Sequence, residues 1–125
     1  MREILFRGKQ ADNEKWVIGY LSSKHTITIQ TPCGHTDEIV ICADTVGQFT
    51  GLTDKNGKRI FEGDVAKVLQ GKDKDIAYVG FENGAFMLYP KTGNIYERTL
   101  WSYWYNDWDV EVIGNIHDNP ELLEK

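Results

Sequence analysis

Glu62 and Asp64 are carboxylates two residues apart in the stretch TDKNGKRIFEGDVAKV, Thr53 to Val68. On an extended chain they share one face, and paired carboxylates can hold a metal ion or share a proton. Such chemistry needs a third group, and neither a histidine nor another acid adjoins the pair. Gly63 between them suits a bend, and Asp64 can accept backbone hydrogen bonds in that bend. The stretch therefore reads as the corner of a β structure, and Asp64 as a residue that folding requires.

His25, Cys33, His35 and Cys42 are of the right types for a tetrahedral zinc site. Structural sites place ligands about two to four residues apart, whereas Cys33 and His35 are separated by a single residue and Cys42 lies in the apolar run IVICAD. No metal and no other cofactor is expected. Lys55, Lys58 and Arg59 could touch phosphate, but they flank Asn56-Gly57 and are interleaved with Asp54 and Glu62, as at a solvated hairpin tip. The chain has no Gly-rich phosphate loop, nucleophile elbow or metalloprotease helix, and no Ser or Cys stands at motif spacing from His25, His35 or His117. No catalytic residue is assigned, and the chain is not expected to be an enzyme.

The densest aromatic stretch is WSYWYNDWD. Read as a strand, it puts Trp101, Tyr103 and Tyr105 on one face and Trp104 and Trp108 on the other. A small barrel cannot readily bury both. These five residues are the candidate binding residues, either as a platform for a protein groove or single-stranded nucleic acid, or as packing against the core or a second subunit.

The elements that would hold these residues are short strands. REILFRGK alternates; KWVIGYL and TITIQT flank the polar SSKH as a hairpin; PCGHTDE is a loop punctuated by Pro32 and Gly34; IVICAD resumes an apolar run. Gly47 and Gly51 mark a bulge or close approach. Asn56-Gly57 and Asn83-Gly84 are tight hairpin turns, GKDKD and Thr92-Gly93-Asn94 are further turns, and Ile60, Val65 and Val68 are core candidates. Asn119-Pro120-Glu121 has the form of a helix start with one or two turns to follow. The fold expected is mainly β: an SH3-like small barrel core over 44–117, an N-terminal β-hairpin extension over 1–43 and a short C-terminal helical turn over 118–125, all one domain.

A chain of 125 residues hides roughly two thirds of its unfolded surface, so one ordinary core suffices. With 41% hydrophobic and 26% charged residues, wholesale disorder is excluded. The net charge of −5 is concentrated: Asp107, Asp109, Glu111, Asp118, Glu121 and Glu124 face one base, Lys125, beyond Leu100. Such a segment disfavours duplex nucleic acid. No apolar run approaches the about 18 residues of a membrane span, and MREILFRGK is not a secretory leader, so a cytoplasmic setting with free thiols is expected.

REILFRGK, KWVIGYL, TVGQFTGLTDKNGKRIFEGDVAKV and VEVIGNIHDNPELL together resemble the YopX family, known from bacteriophages and prophages. They spread over nearly the whole chain, and the central block is the most specific. The resemblance implies a β-rich fold with an SH3-like core and a phage origin; it supplies no activity. Phe49 and Phe61 stand where the family is expected to carry tyrosine, which argues against a catalytic phenol there. The resulting expectation is a non-catalytic module that contacts an unidentified protein partner or forms a homo-oligomer, with a nucleic-acid-binding module as the alternative and a small metal-dependent enzyme as a third class.

Overall fold

The computed structural model describes residues 4–106 and 108–124. Asp107 and Lys125 of the acid-rich segment, and Met1 with the first two residues of REILFRGK, Arg2 and Glu3, lie outside them. The chain is mainly β and divides into two compact units, Met1–Gly51 and Leu52–Lys125.

The first unit is built from β1 (Phe6–Lys9), β2 (Trp16–Ser23), β3 (Thr26–Gln30) and β4 (Thr36–Val40), and from the start of β5 (Gly47–Thr53). Each strand pairs antiparallel with the next through β4, and β1 also pairs with β5. The expected β2–β3 hairpin is present. One expectation is corrected: Thr36, Asp37 and Glu38 are not loop but the first half of β4, paired with Gln30, Ile29 and Thr28. Full pairing with β3 outweighs the low strand preference of charged residues, which suit an edge strand. Ile41 beyond β4 packs so closely on Gly8 that a side-chain carbon there would lie 2.8 Å from its Cδ1. Phe49, one of the two phenylalanines at expected tyrosine positions, is buried.

The second unit contains the end of β5, then β6 (Arg59–Phe61), β7 (Asp64–Gln70), β8 (Asp73–Glu82), β9 (Ala85–Pro90), β10 (Arg98–Thr99), a helix α1 (Leu100–Tyr105) and β11 (Asp109–Asn115). Its five-stranded antiparallel sheet has the order β10-β9-β8-β7-β11. The β8–β9 hairpin folds at Asn83-Gly84, both at positive φ, as a tight primed turn requires. Ile60, Ala66, Val68, Ala77, Val79, Leu88, Ile95, Leu100, Tyr103 and Val110 form its core. Ile60, Val65 and Val68, expected inside, are each no more than 1% exposed. After β11 the described residues include a short 3-10 turn, Pro120–Leu123, whose Asn119 does not cap it; its Oδ1 accepts instead from the Asn115 amide at 3.3 Å.

The β5–β6 turn is fastened to β11 by Asp54. Its carboxylate, 7% exposed, accepts from the amides of Asn56 and Lys58 within the turn and from Val112 on β11, each at 2.9 Å. The Lys55 amide donates to the Val110 carbonyl beside it. At the other end of β11, the Ile116 amide donates to Gly63, whose own amide donates to Val79. β11 is thus tied on its outer side at both ends, which gives this unit its small barrel-like character.

Asp75 plays a similar part. It is 6% exposed and accepts from the amides of Ile76, Thr92 and Asn94 and from the Thr92 hydroxyl. Burial pushes both carboxyls up, but the amide donors (and, for Asp75, the Thr92 hydroxyl) outweigh it and hold both below the ordinary carboxylate value. A depressed folded pKa contributes stability that is complete above the unfolded pKa of about 4 and is lost as pH falls through the folded value. Acid melts of the wild type should therefore show stability declining from about pH 4 downward. Asp54→Asn turns an NH2 group toward a backbone donor and should cost about 1–3 kcal/mol at pH 7. The gap between the two proteins should narrow on acidification; parallel stability curves would contradict this role.

Candidate functional site

The aromatic segment is not a strand. Leu100–Tyr105 is a helix of six residues, started by Thr99, whose Oγ1 accepts from the Ser102 amide at 3.2 Å. It ends at Asn106, whose Nδ2 donates to the Ser102 carbonyl at 2.7 Å. The two-residue alternation assumed for a strand has no support in LWSYWY, where a threonine cap precedes an apolar i, i+3 pair, Leu100 and Tyr103.

Helical spacing sorts the five candidate residues differently from strand spacing. Leu100 and Tyr103 face the core, and Tyr103 is fully buried. Its ring meets Trp108 edge-on at 5.0 Å, and its hydroxyl donates to the Tyr96 carbonyl. Burial, reinforced by Asp75 and opposed by Arg98, raises its phenol pKa. Tyr103 is therefore a core residue and is removed from the candidate surface. Trp108 is half-buried against that core, with the Arg98 guanidinium 5.7 Å from its ring centre. Trp101, Trp104 and Tyr105 point out, 56%, 52% and 67% exposed, and Trp101 stacks on Tyr105 at 4.8 Å. Beside them a cavity of about 280 Å³ has buried Ile60, Leu100 and Val110 at its base, with Trp104, Trp108 and Asp109 among its lining.

The other candidates do not assemble into a chemical site. Asp64 is 1% exposed and accepts from the Phe61 amide at 2.8 Å across the Glu62-Gly63 bend, while Gly63 holds φ at 92°. Phe61 is buried. Cys33 and Cys42 are free and exposed, and among the described residues no three His, Cys, Asp or Glu side chains come together as metal ligands. Asp54, read in the sequence only as a charge at a solvated hairpin tip, and Asp75, not singled out there, are each buried and accept several backbone amides. The usable signal was position: Asp54 stands two residues before the Asn-Gly turn, where an aspartate can accept from the turn's own amides.

A family model described as YopX protein matches residues 5–124. The chain belongs to the YopX family. No curated protein sequence matches this YopX protein. It is similar in structure to a protein solved from Enterococcus faecalis, "Crystal structure of protein EF1440", at 24% identity and a TM-score of 0.59, covering 99% of this chain and 100% of that one. That likeness concerns the fold alone.

Substitutions should separate the inward from the outward aromatics of this YopX chain. Tyr103→Phe leaves the Tyr96 carbonyl without its donor and should cost about 1 kcal/mol, and Tyr103→Ala about 3–5 kcal/mol. Trp101→Ala should stay within about 0.5 kcal/mol of wild type. Urea unfolding followed by circular dichroism gives all three values. By the same measurement Asp64→Ala should lose about 1–3 kcal/mol, and an unchanged midpoint would remove its role at the bend.

Proposed function

We propose that this YopX protein is a non-catalytic interaction module that holds a protein partner through α1. The observation that carries the reading is the set of three large aromatic side chains left in solvent on one six-residue helix. Tryptophan and tyrosine are preferred anchors at protein interfaces, because they bury much area with few rotatable bonds. The Trp101–Tyr105 stack restricts those bonds further, and the adjoining cavity with its apolar base offers a place for a partner's side chain. The best-buried acids, Asp54, Asp64 and Asp75, have backbone amides as partners, a structural use of carboxylates that supports a non-catalytic reading.

Asp109 and Glu111 follow the helix closely in sequence, which favours a protein over a nucleic-acid partner. A second copy of the chain satisfies the same chemistry and would make the protein a homo-oligomer. A bacteriophage or prophage role inside a bacterial host is part of this reading and is supported by the family resemblance.

Affinity purification of tagged wild type and of a Trp101→Ala/Trp104→Ala variant from infected or lysogenic cells tests it, with proteins and nucleic acids both identified. The expected result is a protein enriched by the wild type, at least about tenfold weaker on the variant when rebound as a purified pair, with unaltered thermal stability. Equal retention by both chains would end the proposal. Recovery of nucleic acid released steeply by salt would replace it with the nucleic-acid reading.

A further inference from the structure

A second cavity, also about 280 Å³, lies away from the aromatic helix and is lined by Lys67, Lys74, Ile76, Lys91 and the Asp75-Thr92-Asn94 cluster. The strand pattern explains the convergence. On β7, Ala66 and Val68 face the core, so Lys67 between them faces out. Ile76 pairs with Lys67 across β7 and β8, and Lys74, two residues earlier on β8, shares that outer face. Just beyond β9, the Lys91 amide donates to the Ile76 carbonyl at 2.7 Å, which brings a third lysine to the same place.

Their charges are poorly compensated. Glu111 is directly across from Lys67 on β11, but its carboxylate lies 3.7 Å from Lys55. Among the described residues the ammonium groups of Lys67 and Lys74 have no hydrogen-bond or ion-pair partner, and that of Lys91 donates to the Leu122 carbonyl at 3.3 Å. The one acid in the lining, Asp75, accepts four intramolecular donors. Three lysines beside one internally bonded carboxylate leave excess positive charge in a chain of net charge −5.

We propose that this cavity binds a phosphoryl group carrying two or more negative charges. A single carboxylate would leave most of the lysine charge unmatched, whereas a phosphoryl dianion or pyrophosphate offers several oxygens to ammonium donors from different directions. The wall of the cavity is mainly carbon, from the lysine stems and Ile76, so the charged group meets the ammonium heads at its mouth and leaves whatever bears it outside. The group can arrive as a free oligophosphate or as a phosphate monoester.

The test titrates inorganic pyrophosphate into the full chain in low-salt, phosphate-free buffer and follows backbone amide shifts. The expected result is saturable movement of the Lys67, Ile76, Lys91 and Thr92 amides with Kd below about 1 mM. Lys67→Gln/Lys74→Gln, both at exposed positions, should weaken it by about tenfold, while Lys24→Gln in the first unit should not. Equal shifts from acetate at matched ionic strength, or unchanged pyrophosphate affinity in the double variant, would overturn the site. Glycerol 3-phosphate, run in parallel, distinguishes the sources: comparable binding assigns a phosphate ester, and binding of pyrophosphate alone assigns a free oligophosphate.

Discussion

Where strands give way to turns, backbone amides leave the ladder and must find another acceptor or lose free energy. In the second unit buried aspartates are that acceptor. A buried carboxylate is costly alone, but one that gathers several N–H donors is stabilised in its charged form and rigidifies whatever carries them. Asp54 draws on two amides of its own turn and one from a strand 58 residues away, so a local turn and a distant pairing are specified by one side chain. Asp75 does the same between β8 and the Thr92–Asn94 loop. Both candidate surfaces rest on these knots: Asp54 lines the cavity beside α1, and Asp75 lines the lysine cavity.

Much of the fold was legible because its signals are local. Asn83-Gly84 needs positive φ at both positions, and the alternation around it leaves one register that buries Val79 and Leu88 together. The same local logic found the Asp64 bend and the core at Ile60, Val65 and Val68. β4 was half hidden because its first residues, Thr36-Asp37-Glu38, carry turn-like composition, and only the complete ladder with β3 makes them strand. Asp75 was hidden for a related reason: GKDKD reads as a turn, yet Asp73, Lys74 and Asp75 all belong to β8. What a carboxylate accepts from residues 17 and 19 positions further on is not written in its neighbours.

The aromatic segment illustrates a different limit. LWSYWY has neither strong helix formers nor strict alternation, so propensity decides little. Packing decides it: one turn of helix lets Leu100 and Tyr103 enter the core together, with Tyr103 bonded to Tyr96 and braced by Trp108. The other positions of the helix then point elsewhere, and its three remaining aromatics, Trp101, Trp104 and Tyr105, are left exposed. An extended segment would alternate inward and outward and offer a longer, shallower face. The compact helix instead concentrates its outward aromatics within about two turns of one another, a geometry suited to filling a partner's pocket.

Charge sets the two surfaces of the second unit apart. Around α1 the nearby chain is acidic, with Asp109 and Glu111 following it, whereas the outer face across β7 and β8 gathers Lys67, Lys74 and Lys91. Glu111 sits at the junction and chooses: by bridging to Lys55 near the Asp54 turn it leaves Lys67 without the acid that strand register puts opposite it. An exposed bridge of this kind is worth little in stability, about 0–1 kcal/mol, so it does not explain itself as a fold device. Its consequence is the separation of sign, with an aromatic surface in acidic surroundings at one place and uncompensated lysines at another.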